Sequence, residues 1–79
     1  MLLRAKGSEI KRRREGMRLS KYRLSMLAGL GPLAVTRMEE ELHLVHPLRA
    51  KAIAEILGCT VEDLFEANSI ESDSKVSSM

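Results

Sequence analysis

A glycine-rich interruption, the run GLGP at residues 29–32, constrains this chain more than any other feature, because it separates two short stretches with helical periodicity. Gly29 can adopt the left-handed backbone conformation that ends a helix without a Cβ penalty. Pro32 is preorganised for the first position of the next helix, and Ser20 has the side chain of an N-cap for the preceding one. The sequence therefore predicts one helix over residues 21–28 and another over 32–40, joined by a turn of about three to four residues.

Apolar residues at helical spacing indicate which face of each amino-terminal helix points inward. A first helix is predicted to start near Ser8, as its N-cap, in the basic stretch that follows. In these three helices the residues expected to face inward are Ile10, Arg14 and Met17, then Leu24, Leu27 and Ala28, then Val35, Met38 and Leu42. An arginine on an apolar stripe needs a partner, so we assign Arg14 to structure.

The carboxy-terminal half predicts two further helices. Pro47 begins the fourth and Gly58 ends it, with an inward stripe of Ala50, Ile53, Ala54 and Leu57. Thr60 with Asp63 three residues later indicates a capping box for a short fifth helix, VEDLFE. The Ser-rich remainder has no helical or strand periodicity, and we expect it to be disordered.

Length and composition limit the architecture to one small domain. The chain has 79 residues, of which 44% are hydrophobic but only 3% aromatic, and this composition favours helices over a β-sandwich. We predict an all-α fold, a compact five-helix bundle, with an N-terminal arm at 1–7, the domain at 8–66 and a disordered tail at 67–79. The single cysteine, Cys59, excludes an intrachain disulfide. No apolar run reaches the length of a membrane span, so we expect a cytoplasmic protein without membrane contact.

Charge is distributed unevenly along the chain. Residues 1–37 carry ten Lys or Arg against two acids, a net +8, whereas residues 38–79 carry three against nine, a net −6. Such a basic half indicates a polyanionic partner such as nucleic acid, although solvated helix faces also collect lysine and arginine. Charge alone leaves both interpretations open.

The sequence LSKYRLSMLAGLGPLAVTRMEEE resembles the helix-turn-helix of Cro/repressor-type (Xre-like) DNA-binding domains, and AIAEILGCTVEDLF resembles the closing segment of that family. The resemblance covers roughly residues 9–66. The positions that carry it in the first helix and turn are Leu24, Ser25, Gly29 and Leu30, and those in the second helix are Val35, Met38 and Glu39. It implies the phage repressor-like fold, with the helix over 32–40 in a DNA major groove, and an ion pair between Arg14 and Glu39.

Two groups of side chains are expected to contact DNA, with different roles. The exposed edge of the recognition helix is expected to contact bases through Leu33, Ala34, Thr36 and Arg37, with Arg37 for guanine and the apolar pair for thymine methyl groups. The start of the preceding helix is expected to contact phosphates through Ser20, Lys21, Tyr22 and Arg23. The chain departs from the family at Lys21, where glutamine is common, at residues 32–34, where polar residues are common, and after Glu41, where a glycine is common.

These features predict a sequence-specific DNA-binding transcriptional regulator, acting as a homodimer on double-stranded DNA. The apolar loop residues Leu44 and Val45 are expected to form the two-fold contact. The alternative is a protein-interaction module of the same fold, an antitoxin or anti-repressor, that uses the apolar Leu33, Leu42, Leu44 and Val45. His43, His46 and Cys59 do not match zinc-ligand spacing, so we expect neither a metal nor a cofactor. The sequence has no catalytic triad order and no phosphate-binding glycine loop, and we expect neither an enzyme nor a small-molecule ligand.

Overall fold

A computed structural model describes residues 1–67 of the chain. Within this part, five helices and two short strands follow one another in the order β1, α1, α2, α3, α4, α5, β2. Their bounds are β1 Leu3–Ala5, α1 Gly7–Gly16, α2 Lys21–Leu27, α3 Ala34–Glu39, α4 Pro47–Leu57, α5 Val61–Leu64 and β2 Phe65–Ala67. The domain is therefore mainly helical, and the all-α prediction is approximate because a small sheet is present.

The two strands join the beginning of the chain to the end of α5. β1 pairs antiparallel with β2, with Leu3 opposite Ala67. On its other edge Leu3 exchanges two backbone hydrogen bonds with Val45, both with an N···O distance of 2.7 Å. The residues predicted as an N-terminal arm, 1–7, include β1, and burial of Leu3 and Ala5 together with this backbone pairing fixes the segment to the domain. The predicted tail begins at Ala67, which lies in β2, and residues 68–79 lie outside the described part.

The start of α1 differs from the prediction that Ser8 is its N-cap. The helix begins at Gly7, and its N-cap position is Lys6, two residues before Ser8. The Lys6 side chain makes no capping hydrogen bond. The Ser8 prediction is wrong, because Ser8 lies inside the first turn of α1.

The helix-turn-helix region follows the sequence closely at its first helix and less closely at its second. Ser20 caps α2 by accepting a hydrogen bond from the backbone N–H of Arg23 at 2.9 Å, and Gly29 adopts a positive φ of 74°. α3 begins at Ala34, not at Pro32 as predicted. Pro32 and Leu33 instead form a turn, closed by a hydrogen bond from the Ala34 N–H to the Gly31 carbonyl at 3.1 Å.

The carboxy-terminal helices have the predicted caps. α4 starts at Pro47 and ends at Gly58, which has a left-handed φ of 70°. Thr60 and Asp63 form the predicted capping box at the start of α5. α5 ends at Leu64, two residues before the predicted end, because Phe65 takes an extended backbone, with φ −138°, and enters β2.

One hydrophobic core lies between the helices and beneath the sheet. Its buried apolar residues are Leu3, Ala5, Ile10, Leu24, Val35, Met38, Val45, Ala50, Ile53, Ala54, Leu57, Leu64 and Phe65. The core contains the whole predicted stripe of α4, together with the inward residues predicted for α3 at positions 35 and 38.

Three residues predicted to face inward are exposed: Met17, Leu27 and Leu42. Met17 occupies the C-cap of α1, where the chain leaves the helix. Leu27 lies about 100° around α2 from the centre of its buried face. Leu42 follows Glu41, whose positive φ of 57° turns the chain away from the inward face of α3.

Candidate nucleic-acid interface

The crossing of α2 and α3 is fixed by one fully buried hydroxyl, that of Ser25. Its Oγ donates to the carbonyl of Lys21 at 2.8 Å and accepts from the backbone N–H of Val35 at 3.0 Å. The carbonyl of Ser25 also accepts from the N–H of Leu30 in the turn, at 2.9 Å. From the sequence, Ser25 is notable only as a small residue at this crossing. The structure shows in addition that its hydrogen bonds fix the start of α3 relative to α2.

The other end of α3 is tied to α1 by a buried ion pair. Arg14, which is only 7% exposed, donates from Nε to Glu39 Oε2 at 2.6 Å and from Nη2 to Oε1 at 3.2 Å. Its remaining Nη1 donates to the carbonyl of Leu19 at 2.7 Å. The hydrogen bond to Glu39 raises the pKa of Arg14 above its usual value. One guanidinium thus connects α1, the loop before α2 and the end of α3.

A glycine at the start of α1 allows a second contact with the end of α3. A Cβ added at Gly7 would lie 2.2 Å from the backbone oxygen of Glu39. This separation is too short for two non-bonded atoms, so no residue with a side chain fits here without a shift of the backbone. The Gly7 N–H donates to Glu41 Oε2 at 2.8 Å. The sequence analysis placed Gly7 in the N-terminal arm and missed this contact. Its only signal in the sequence is a glycine directly before a helical stretch.

α3 presents the four predicted base-contacting residues at its outer edge and its start. Leu33 and Arg37 are exposed, whereas Ala34 and Thr36 are half-buried. Leu33 is the N-cap residue of α3, and Thr36 and Arg37 lie on the side away from the buried Val35 and Met38. Ala34 lies about 40° around the helix from Met38. Within α3 itself, Arg37 is the only cationic side chain.

The four residues predicted to contact phosphates are all exposed at the start of α2: Ser20, Lys21, Tyr22 and Arg23. Because Ser20 Oγ accepts the capping hydrogen bond from Arg23, its own O–H is available to donate. This end of α2 therefore carries two cations and two hydroxyl groups toward solvent.

Comparison with known families agrees with this geometry. A sequence model of the Cro/C1-type HTH DNA-binding domain matches residues 9–69. The chain belongs to this family. No curated protein and no solved structure matches the chain. In this Cro/C1-type domain, α2 and α3 are the two helices of the helix-turn-helix.

A groove between α3 and α4 adds a cation that the sequence analysis of this Cro/C1-type domain did not identify. Arg49, in the first turns of α4, lines the same groove as Arg37, and the groove has a volume of about 470 Å³. His43 and His46 also line it, and His46 Nδ1 caps α4 by accepting from the Leu48 N–H at 3.1 Å. The signal available in the sequence was an arginine two residues after Pro47.

Among residues 1–67, no three His, Cys, Asp or Glu side chains are grouped so that they could hold a metal ion. No helix in the same part of the chain has the length and apolarity needed to cross a membrane.

Proposed function

We propose that this protein is a sequence-specific transcriptional regulator that reads a DNA major groove with α3. The observation that carries the proposal is the way α3 is held: Ser25 binds its first turn and Arg14 binds its end, through Glu39. A helix fixed at both ends can present its outer edge in one orientation, which base recognition requires.

Base recognition is assigned mainly to Arg37. An arginine in the middle of a recognition helix can donate two hydrogen bonds to O6 and N7 of guanine. Thr36 can hydrogen-bond a neighbouring base, and Leu33 and Ala34 can pack against thymine methyl groups. With one strong hydrogen-bonding side chain, the domain is expected to be strict at one base pair and permissive at its neighbours.

Phosphate contacts are assigned to two sides of α3. Lys21, Tyr22 and Arg23, with the free O–H of Ser20, lie at the start of α2, and Arg49 adds a cation on the α4 side. Such contacts set the position of a protein on DNA without selecting the sequence. The exposed acids at the end of α3, Glu40 and Glu41, would repel a phosphate backbone brought close to them, which limits the orientation of the helix.

We also propose that the regulator acts as a homodimer on a palindromic site. Of the two loop residues expected to form the two-fold contact, Val45 is 6% exposed and belongs to the core, whereas Leu44 is 41% exposed. The contact is therefore assigned to Leu44, together with the exposed Leu48 at the start of α4.

Selection of bound sites from random duplex DNA tests the proposal, and two variants separate base reading from charge. Arg37→Ala should weaken binding to the selected site by about 1 to 3 kcal/mol and relax the preference at one base pair. Lys21→Ala should weaken binding to all sequences alike and reduce the slope of log affinity against log salt by about one unit per lost phosphate contact.

Lys51→Ala is the matched control, because it removes the same charge but lies about 200° around α4 from Arg49. It should change neither affinity nor selectivity by much. If all three variants lose affinity equally and without a change in selectivity, α3 does not read bases. That result, or the absence of any enriched sequence at low salt, would favour a protein-interaction module, for which Leu33, Leu42 and Leu44 are exposed.

A further inference from the structure

The groove between α3 and α4 combines positive charge with apolar surface beside the proposed base-reading residue. The side chains that line it include Leu2, Arg37, His43, Leu44, His46 and Arg49. Two arginines favour an acidic ligand, and the two leucines favour one that also carries an aliphatic group. The groove therefore suits a short acidic peptide with one apolar side chain.

The fold brings the end of β2 close to this groove. Ala67 pairs with Leu3, and Leu3 pairs on its other edge with Val45, which lines the groove. Because neighbouring strands are about 4.8 Å apart, Ala67 lies roughly 10 Å from Val45. β2 runs antiparallel to β1, so Ala67, its last residue, lies opposite Leu3, the neighbour of Leu2.

The residues that follow β2 have the composition that the groove favours. The sequence from 68 to 73 is NSIESD, with one aliphatic side chain, Ile70, followed by two acids, Glu71 and Asp73. Three extended residues span about 10 Å. Ile70 is thus within reach of the leucines at the groove, and the acids are within reach of the arginines beyond them.

We propose that the segment at 68–73 binds in this groove, with Ile70 against Leu2 and Leu44 and the acids paired with Arg37 and Arg49. Bound there, it covers Leu44, which is assigned to the dimer contact, and the side chains assigned to guanine and phosphate. The docked chain is therefore a monomer, and the segment inhibits DNA binding by competing with DNA inside the same chain. The competition rests on the proposed function, whereas the docking itself does not require DNA.

The expected strength of this inhibition follows from tethering. Exposed ion pairs are individually weak, but a short tether gives the segment an effective concentration in the millimolar range. A segment with an intrinsic dissociation constant of about 0.1 to 1 mM would then occupy the groove much of the time. Its release should raise DNA affinity about 2- to 10-fold.

The test compares two full-length variants that change the net charge equally. Glu71→Gln weakens the proposed docking, whereas Glu66→Gln removes an acid from β2, outside the groove. Without DNA, Glu71→Gln should shift the NMR signals of the Leu2 and Leu44 methyl groups and of Arg37 Nε–H, and Glu66→Gln should not. With a selected duplex, Glu71→Gln should bind more tightly than both wild type and Glu66→Gln.

Ile70→Ser separates docking from long-range repulsion, because it keeps every charge. Docking predicts that this variant also shifts the groove signals and binds DNA more tightly. If Ile70→Ser behaves as wild type, or if Glu71→Gln and Glu66→Gln have the same effects, the segment does not occupy the groove. If the variants weaken DNA binding, the segment assists the complex and the inhibition is wrong. If the protein binds no DNA, the proposed function is contradicted. The NMR spectra without DNA would still show whether the segment binds in the groove.

Discussion

Arg14 illustrates, at the scale of single residues, how a basic run can contain a structural side chain. It lies among exposed cations, but its place on the apolar stripe of α1 indicates burial, and the family resemblance supplies Glu39 as the partner. The side chains of the pair are 8% and 6% exposed, and the guanidinium makes three hydrogen bonds within 3.2 Å. Its neighbour Arg12 pairs at the surface with Glu9 instead.

Glu39→Ala should therefore destabilise the domain far more than a surface change does. Loss of the carboxylate leaves the buried Arg14 charge without its partner, which costs about 3 to 5 kcal/mol. Arg12→Ala is the control and should leave the unfolding midpoint nearly unchanged, because the arginine of the Arg12–Glu9 pair is exposed to solvent. Chemical denaturation of both variants measures the difference, and an unchanged midpoint for Glu39→Ala would show that the pair contributes nothing.

Gly7→Ala should also destabilise the domain, by about 1 to 3 kcal/mol. The new methyl group would overlap the Glu39 carbonyl and force α1 away from α3. Gly16→Ala is the matched control: it lies at the other end of the same helix, with no atom within 4 Å of the added Cβ. That change should leave stability equal or raise it by up to about 1 kcal/mol. Thermal unfolding compares the two, and equal midpoints would contradict the close contact at Gly7.

At the scale of elements, the sequence predicts which helices form better than it predicts the residues at which they begin and end. All five helices were expected, and the caps at Ser20, Gly58 and Thr60 were identified because each rests on local chemistry. The prediction that Pro32 starts a helix was wrong, because Pro32 and Leu33 belong to a turn and α3 begins only at Ala34. The two hydrogen bonds of Ser25 could not be predicted, because they depend on how α2 and α3 cross.

Ser25→Ala should uncouple α2 from α3. The variant keeps the small side chain at the crossing but leaves the buried N–H of Val35 without an acceptor, which costs about 1 to 3 kcal/mol. Ser8→Ala is the control, since Ser8 is exposed and caps nothing, and it should change stability by less than about 0.5 kcal/mol. Hydrogen exchange at Val35 provides a local measurement: protection that survives Ser25→Ala would mean that the hydroxyl does not hold the start of α3.

At the scale of the whole molecule, the sheet is what the sequence least reveals. β1 and β2 have three residues each and lie 60 positions apart along the chain, so neither has a periodicity long enough to predict a strand. Their pairing joins the expected arm to the domain, and Leu3 and Val45, which pair through their backbones, are both buried. The pairing also changes the expected dimer contact. Of the two loop residues, Leu44 and Val45, only Leu44 remains on the surface.

The proposed dimer can be tested through Leu44 alone. In a two-fold dimer each copy places its Leu44 in the same contact, so Leu44→Asp introduces two buried charges and should shift sedimentation toward the monomer. Met26→Asp is the control, because Met26 is similarly exposed, at 47%, but lies on α2. This change should leave the sedimentation of the free protein unaltered.

The dimer should bind two half-sites about 34 Å apart, which is one turn of DNA. Inserting five base pairs between them should weaken binding, because it turns the half-sites to opposite faces of the DNA. Sedimentation at high micromolar concentration with and without the selected duplex measures both effects. A wild-type protein that stays monomeric in both conditions, and tolerates the five-base-pair insertion, would bind as a single domain to a single half-site.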